Sequence, residues 1–212
     1  MAEAQAFLDS AAAAAALLAD PAVASAWEAP SALSRFTVGG LAGHLARQVI
    51  MVPELLAADP RPAGQRVCLL DHYARAPWVG AGVDAEINVA VRRSGEAAAA
   101  CGAVELARRT GSAVGQLRGR LPAEPADRLV QVPGAPWLLS LSDFLLTRLV
   151  EIVIHADDLA VSAGIDGPPL PRPATDTVLA LLVRLAARRH GPAAVLRALS
   201  RAERAPATIA AI

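Results

Sequence analysis

Residues 144–160 are apolar around most of their circumference when the segment is read as a helix. At about 100° per residue, one narrow arc of this helix is polar, and leucine, isoleucine and valine cover the rest. A helix with so little polar surface must be surrounded by other parts of the chain. The chain is therefore expected to consist of packed helices rather than layers of strands.

The composition agrees with this helical expectation. Hydrophobic residues make up 54% of the 212 residues and aromatic residues only 3%, and alanine and leucine, both strong helix formers, supply the excess. Sustained strand alternation is missing from the body of the chain, with one short extended piece predicted at residues 129–132. The predicted fold class is all-α, a four-helix bundle with a short C-terminal helical addition.

Start and stop signals divide the chain into helical segments. Thr37 is predicted to cap one helix, and either Ser140 or Ser142 to cap the most distinctive one, which Gly164 ends. The predicted helices cover residues 2–19, 37–57, 67–76, 84–97, 100–121, 141–163, 174–190 and 193–200.

Proline-rich segments separate these helices and suggest the domain organisation. Residues 59–65 and 122–136 are predicted connectors, and residues 166–173 a linker. We expect residues 1–164 to form a metal-binding bundle and residues 165–212 a short helical extension packed on it.

Charge and targeting signals exclude several classes of protein. Twenty basic residues, all arginine, balance twenty acidic ones. The sequence has no basic stripe interleaved with aromatic residues, so nucleic-acid binding is not expected. The amino terminus lacks the positive region of a secretory signal, and the apolar run 10–19 is shorter than the 18 or so residues that span a bilayer. Cys68 and Cys101 lack a disulfide framework and are expected to be reduced thiols. The predicted location is the cytoplasm.

The polar arc of the segment 144–160 has two interpretations. Glu151 and His155 are four residues apart and are therefore neighbours on one helix face. They belong either to a solvated face, with pairs worth about 0.2–0.5 kcal/mol each, or to a metal site of which they supply two ligands. The arc comprises Phe144, Arg148, Glu151, His155, Asp158 and Ser162.

His44 is the best candidate for a third ligand. It lies one or two turns into the second predicted helix, where Gly40 and Gly43 would permit a close approach between helices. The alternative is an ordinary packed or partly exposed histidine.

The other two histidines lack comparable partners. His72 is next to Asp71 in a connecting segment, and His190 precedes Gly191 at a helix end. A histidine at a helix carboxyl end is explained by the helix dipole.

Two segments together resemble a known family. Residues 27–46, which include Thr-Val-Gly-Gly-Leu-Ala-Gly-His44, resemble the amino-terminal signature of the mycothiol-dependent maleylpyruvate isomerase N-terminal domain family, a branch of the DinB-like superfamily. Residues 148–160, Arg-Leu-Val-Glu151-Ile-Val-Ile-His155-Ala-Asp-Asp158-Leu-Ala, resemble the family pattern Arg-x-x-Glu-x-x-x-His-x-x-Asp-Leu. The resemblance extends from about Phe7 to Gly164.

The resemblance implies a four-helix bundle that holds a divalent ion, most simply zinc. Carried over residue by residue, it assigns the metal ligands to His44, Glu151 and His155. Asp158 would orient His155 through a hydrogen bond, the alternative being a hydrogen bond to nearby backbone. Arg148 would meet an anionic substrate or the thiol, or else pair with Glu151 at the surface. Two histidines and a glutamate leave a coordination position open, as catalytic zinc sites do.

The resemblance also implies mycothiol as a thiol cosubstrate, because a metal-bound thiol is ionised and nucleophilic. The expected activity is an isomerase or S-transferase acting on a small electrophile; the alternative is a non-catalytic metal-binding or partner-binding bundle. The isomerase itself has a larger C-terminal domain that contributes an arginine, for which residues 165–212 are too few. Hydrolysis also stays open as the reaction, because the open coordination position could hold water. Expected partners are the electrophile and the thiol, without nucleic acid or membrane, and a homodimer is left open.

Overall fold

A computed structural model of the chain describes residues 2–58 and 63–212, so Asp59, Pro60 and Pro62 of the first predicted connector lie outside the described residues. Within the described part, no helix is both long enough and apolar enough to cross a membrane. The α-helices are α1 (Ala2–Leu18), α2 (Pro21–Ser25), α3 (Val38–Ala57), α4 (Leu69–Arg75), α5 (Glu86–Ala99), α6 (Ala103–Arg120), α7 (Leu141–Ala163), α8 (Arg172–His190) and α9 (Pro192–Ser200).

Four of these helices form a bundle. Helices α1 and α3 each pack against both α6 and α7, and α5 packs along the outside of α3. The core between them is built from fully buried side chains such as Phe7, Leu41, Leu45 and Phe144. The predicted all-α fold, a four-helix bundle, is confirmed.

A small sheet accompanies the bundle. Its strands are β1 (Gln65–Arg66), β2 (Leu129–Gln131) and β3 (Trp137–Ser140), in the order β1-β3-β2. Strand β3 runs parallel to β1 and antiparallel to β2. The extended piece predicted at residues 129–132 is confirmed as β2, whereas β1 and β3 were not predicted. They are too short to show alternation, and β1 pairs with a segment distant in the chain.

Side-chain caps set the starts of the two helices that matter most for the site. Thr37 Oγ1 accepts a hydrogen bond from the Gly40 backbone N–H at 3.0 Å, which begins α3. Ser140 Oγ accepts one from the Asp143 N–H at 3.1 Å, so Ser140 rather than Ser142 caps α7. Gly164 ends α7 in the left-handed conformation, with φ 68°, which glycine adopts at little cost.

Helices α3 and α5 cross at glycines. A Cβ atom on Gly43 would overlap the carbonyl oxygen of Gly95, and one on Gly95 would lie 3.3 Å from the Cβ of His44. The two backbones therefore meet directly beside His44. The close approach predicted for Gly40 and Gly43 is confirmed.

The C-terminal helices share a second apolar cluster with the bundle. Val178, Leu181 and Leu185 of α8 pack in this cluster with Tyr73 of α4 and Leu149 of α7. The division at Gly164 into a bundle and an extension stays a prediction.

Candidate metal centre

Three polar side chains converge between α3 and α7. Glu151 Oε2 lies 3.1 Å from His44 Nε2 and 3.4 Å from His155 Nε2. The two imidazole rings are nearly perpendicular, with centroids 4.8 Å apart. One potential ligand atom from each residue lies within 4.8 Å of the other two. The structure thus brings together the three predicted ligands.

The positions of these residues follow from the helices that carry them. His44 lies in the second turn of α3, while Glu151 and His155 lie one turn apart on α7, which packs against α3. Their side chains are only 13%, 16% and 18% exposed, respectively. A solvated helix face does not fit these exposures, so this part of the polar arc faces an interhelical cleft.

Asp158 determines the orientation of His155. The Nδ1 atom of His155 lies 2.9 Å from Asp158 Oδ2. Because a carboxylate accepts, Nδ1 is assigned as the protonated nitrogen and donates this bond. The Nε2 atom is then the one that faces Glu151. The contact predicted for Asp158 is therefore present, and its role in metal binding stays a prediction.

The electrostatics of the cluster favour an ionised Glu151 carboxylate and a protonated His155 ring. Burial raises the pKa of Glu151, but hydrogen bonds with His155 and His44, together with the charges of His155 and Arg148, hold it well below its usual value. Burial lowers the pKa of His155, but hydrogen bonds with Asp158 and Glu151 and their negative charges outweigh this and raise it to about 9. Glu151 is thus a carboxylate at neutral pH, the form that a metal ion requires.

Gln48 connects His44 to Arg148 and was not predicted from the sequence. Its Nε2 donates to the His44 carbonyl at 2.9 Å and lies 3.3 Å from His44 Nε2. Its Oε1 accepts a hydrogen bond from Arg148 Nη1 at 2.5 Å. The spacing of four residues from His44 places Gln48 on the same helix face, and this was the available signal.

His72 and His190 lie outside the three-residue cluster. His72 lies in α4, within the predicted helix 67–76 and not in a connecting segment. It is 5% exposed and accepts a hydrogen bond at Nδ1 from Trp137 Nε1 at 3.1 Å. Burial, aided by the charge of Arg148, lowers the pKa of His72 to about 4. His190 Nε2 lies 2.8 Å from the Ala210 carbonyl. His72 is therefore a neutral, packed histidine at physiological pH.

A cavity lies between α3, α5 and α6. It has a volume of about 290 Å³, and Arg47, Met51 and Arg109 are among the side chains that line it. The sulfur of Met51 is also 3.9 Å from Arg148 Nη1. Met51 therefore touches both the cavity and the side chain next to the candidate ligands.

Comparison with known proteins decides the family. The model of the mycothiol maleylpyruvate isomerase N-terminal domain matches residues 7–160. The chain belongs to this family. No curated protein and no solved structure matches it.

Membership of the mycothiol maleylpyruvate isomerase N-terminal domain family confirms the resemblance seen in the sequence. The matched range includes His44, Glu151, His155 and Asp158, whereas α8 and α9 lie beyond it. The family relates the chain to mycothiol and to DinB-like helical proteins.

Proposed function

We propose that the chain binds one divalent metal ion, expected to be zinc, through His44, Glu151 and His155. With mycothiol as the thiol cosubstrate, it would act as an isomerase or S-transferase on a small electrophile. The observation that carries the proposal is the convergence of the three ligand atoms, all within 4.8 Å of one another.

The donor set fits a zinc-type ion. In a tetrahedral site with bonds of about 2.0–2.1 Å, neighbouring nitrogen and oxygen ligands are about 3.3 Å apart. The two distances from Glu151 Oε2, 3.1 Å to His44 Nε2 and 3.4 Å to His155 Nε2, lie on either side of this value. Two neutral imidazoles and one carboxylate would leave a fourth position free for another ligand.

A divalent ion held in this way would keep a coordinated thiol deprotonated at neutral pH. The chain's own residues supply the support for such a site. Asp158 fixes the tautomer and orientation of His155, and Gln48 bonds to the backbone of His44 one turn away. Hydrogen-bonded partners of this kind are what hold metal-ligating histidines in place.

The same contacts have a metal-free explanation. Glu151 is positioned to accept hydrogen bonds from His44 and His155, which would satisfy a half-buried carboxylate without an ion. A bundle that keeps the ion only for stability would also have this arrangement. Metal and thiol binding must therefore be measured separately.

The first experiment measures the metal content of the full chain after purification and after reloading with zinc. We expect about one ion per chain in the wild type and loss of the ion in both His44→Ala and His155→Ala. His190→Ala, at a histidine bonded to Ala210 outside the cluster, is the matched control and should retain the ion. A metal-free wild type under zinc-replete conditions would overturn the metal site.

The second experiment tests the thiol chemistry. The cobalt-substituted chain is titrated with mycothiol, and thiolate coordination appears as a sulfur-to-metal charge-transfer band. The zinc-loaded chain is then incubated with mycothiol and maleylpyruvate or a model electrophile. If the cobalt-substituted chain gives no such band and the zinc-loaded chain gives no turnover, the enzyme proposal fails and the ion is structural.

A further inference from the structure

The exposed surface of the two C-terminal helices is rich in apolar side chains. Among residues 2–58 and 63–212, seven large hydrophobic side chains are exposed, and four of them lie on α8 and α9: Leu179, Val183, Leu196 and Leu199. Helices α8 and α9 pack against each other, and both lie beyond the range that the family model matches. Exposed apolar side chains that are concentrated in one region mark a surface that contacts another molecule.

The solvent side of α8 combines this apolar character with a regular pattern of charge. At 100° per residue, five residues fall within one arc of about 100°, which we call the outer stripe: Asp176, Ala180, Val183, Arg184 and Ala187. Ala187 is half-buried and the other four are exposed. Asp176 and Arg184 each lie four residues from Ala180, which is about 6 Å along the helix axis. The outer stripe therefore has an acid and a base at equal distances on either side of a small residue.

This pattern is complementary to itself in one orientation. If α8 packs antiparallel against α8 of a second copy, with the two-fold axis at Ala180, Asp176 of each copy lies at the level of Arg184 of the other. A parallel arrangement would instead bring the two acids together and the two bases together. Ala180 lies where the helices would cross, and its small side chain permits an interaxial distance of about 8–10 Å.

Both charges are available for pairing with a second copy. No carboxylate lies within ion-pair distance of Arg184 in the part of the chain that the structure describes. Asp176 pairs with Arg172 of its own helix at 3.7 Å, where the two side chains are 65% and 91% exposed. An exposed pair of this kind contributes little to stability, and a carboxylate can accept hydrogen bonds from a second guanidinium.

We infer that the outer stripe of α8 is a two-fold interface between two copies of this chain, with the two α8 helices antiparallel. Val183, with Leu179 beside the stripe, supplies apolar contact, and two pairs of Asp176 with Arg184 fix the orientation. The opposite face of α8 is already packed in the second apolar cluster through residues such as Leu181. Dimerisation therefore requires no change in the packing of α8 on the bundle.

The interface is expected to be weak. One helix from each copy buries less area than the 1,200 Å² or so below which complexes are usually transient, so the dissociation constant should be on the order of 100 µM. The chain is then mostly monomeric at the few micromolar used in unfolding measurements. The proposed metal ligands lie on α3 and α7, so the interface does not depend on the proposed function.

Sedimentation equilibrium of the full chain tests dimerisation directly. The concentrations run from about 5 to about 500 µM, on either side of the expected dissociation constant. The mean mass should rise with concentration from that of one chain towards that of two. A single-chain mass at every concentration overturns the interface, and growth beyond two chains contradicts a closed two-fold contact.

Charge reversal tests the pairing across the interface. Asp176→Arg or Arg184→Asp alone places like charges at both pairs and should weaken dimerisation about tenfold or more. The double variant exchanges the two charges and should restore the dissociation constant to within about threefold of the wild type. Arg118→Asp, at an exposed position on α6, is the matched control and should dimerise like the wild type. Unchanged dimerisation in both single variants, or no recovery in the double variant, overturns the antiparallel pairing.

Cysteine cross-linking tests the position of the two-fold axis. Cys68→Ser and Cys101→Ser first remove the two exposed native thiols. In this background Ala180→Cys should form a disulfide between copies when the oxidant diamide is added, because the two residues meet at the axis. Ala187→Cys lies on the same stripe, but the two copies of this residue would be about 21 Å apart and should not cross-link. Equal cross-linking at the two positions, or none at Ala180→Cys, overturns the proposed axis.

Discussion

Asp158 Oδ2 lies 2.9 Å from His155 Nδ1, and this hydrogen bond leaves His155 Nε2 as the nitrogen that faces Glu151. The carboxylate acts on the ring in two ways, since it fixes the tautomer and contributes to the raised pKa of His155. The orientation of His155, and with it the contact between His155 Nε2 and Glu151, therefore depends on Asp158, which is not one of the three candidate ligands.

Asp158→Asn should weaken zinc binding about 10–100-fold, the usual effect of removing a carboxylate behind a ligating histidine. The amide can still accept a hydrogen bond but no longer carries the charge that favours a basic, well-oriented ring. Competition with a chromophoric chelator measures the affinity.

The matched control for this substitution is Asp157→Asn, at the exposed neighbouring position on α7. It removes the same charge from the same helix without touching His155, and zinc affinity should stay at the wild-type value. Equal weakening in both variants would mean that only the overall charge of α7 matters.

Gly43→Ala should destabilise the fold by about 1–3 kcal/mol or more, the usual cost of overpacking. The added methyl group overlaps the Gly95 carbonyl and forces α3 and α5 apart next to His44. Urea unfolding followed by far-ultraviolet circular dichroism measures the change in the free energy of unfolding.

Gly111→Ala provides the control for the glycine substitution. Gly111 is exposed within α6, and a Cβ atom there meets nothing within 4 Å. Alanine should raise the free energy of unfolding by about 0.5–1 kcal/mol, because glycine is a poor residue within a helix. If Gly43→Ala is equally stabilising, the two helices are not in backbone contact.

The buried imidazole of His72 should make the fold less stable as the pH falls from about 6.5 to about 4. Its pKa is about 4 in the folded chain and about 6.5 when unfolded, so the unfolded chain takes up the proton first. The contribution of the neutral His72 to the free energy of unfolding is complete above about pH 6.5. It is lost as the pH falls to about 4, and the loss is at most about 3 kcal/mol.

Urea unfolding at several pH values tests the role of His72. His72→Gln retains an acceptor for Trp137 Nε1 and should show a shallower fall in the free energy of unfolding between pH 6.5 and 4.5. His190→Gln, at the end of α8, should keep the wild-type pH profile. If His72→Gln and the wild type show the same change in the free energy of unfolding with pH, His72 is not the source of the pH dependence.

Leu181→Ala should destabilise the chain by about 2–5 kcal/mol, as removal of a buried leucine side chain does. Leu181 is 3% exposed and packs from α8 into the apolar cluster shared with α4 and α7. If residues 165–212 fold together with the bundle, the single unfolding transition moves as a whole.

Leu179→Ala on the same helix is the comparison, since Leu179 is 55% exposed. Its effect should stay within about 0.5 kcal/mol. A separate early transition in Leu181→Ala, with the bundle transition unmoved, would mean that the extension unfolds independently.

Local patterns were sufficient to predict α7 and half of the candidate site. Its apolar circumference predicted a surrounded helix, and the spacing of four residues predicted that Glu151 and His155 are neighbours. Caps such as Thr37 are also local, because the hydroxyl bonds to a backbone group three residues away. These features depend on contacts within one or two helical turns.

Contacts between distant segments were not visible in the same way. The sequence offered His44 as a candidate third ligand, but only the family resemblance joined it to Glu151, because the two residues are 107 positions apart. The Gln48–Arg148 hydrogen bond and the pairing of β1 with β3 likewise join segments far apart in the chain. Periodicity describes one element at a time and carries no information about which faces meet.

The separation of 107 residues between His44 and Glu151 also has a consequence for how the protein matures. His44 lies on α3 in the first half of the chain, and Glu151 and His155 lie on α7 in the second half. The three side chains meet only after these helices have packed in the bundle. Ion uptake would then follow folding rather than nucleate it, unlike in small zinc modules whose ligands are close in sequence. A nascent chain lacking α7 would have no complete site, so only a chain that has been synthesised through α7 and has folded would bind the ion.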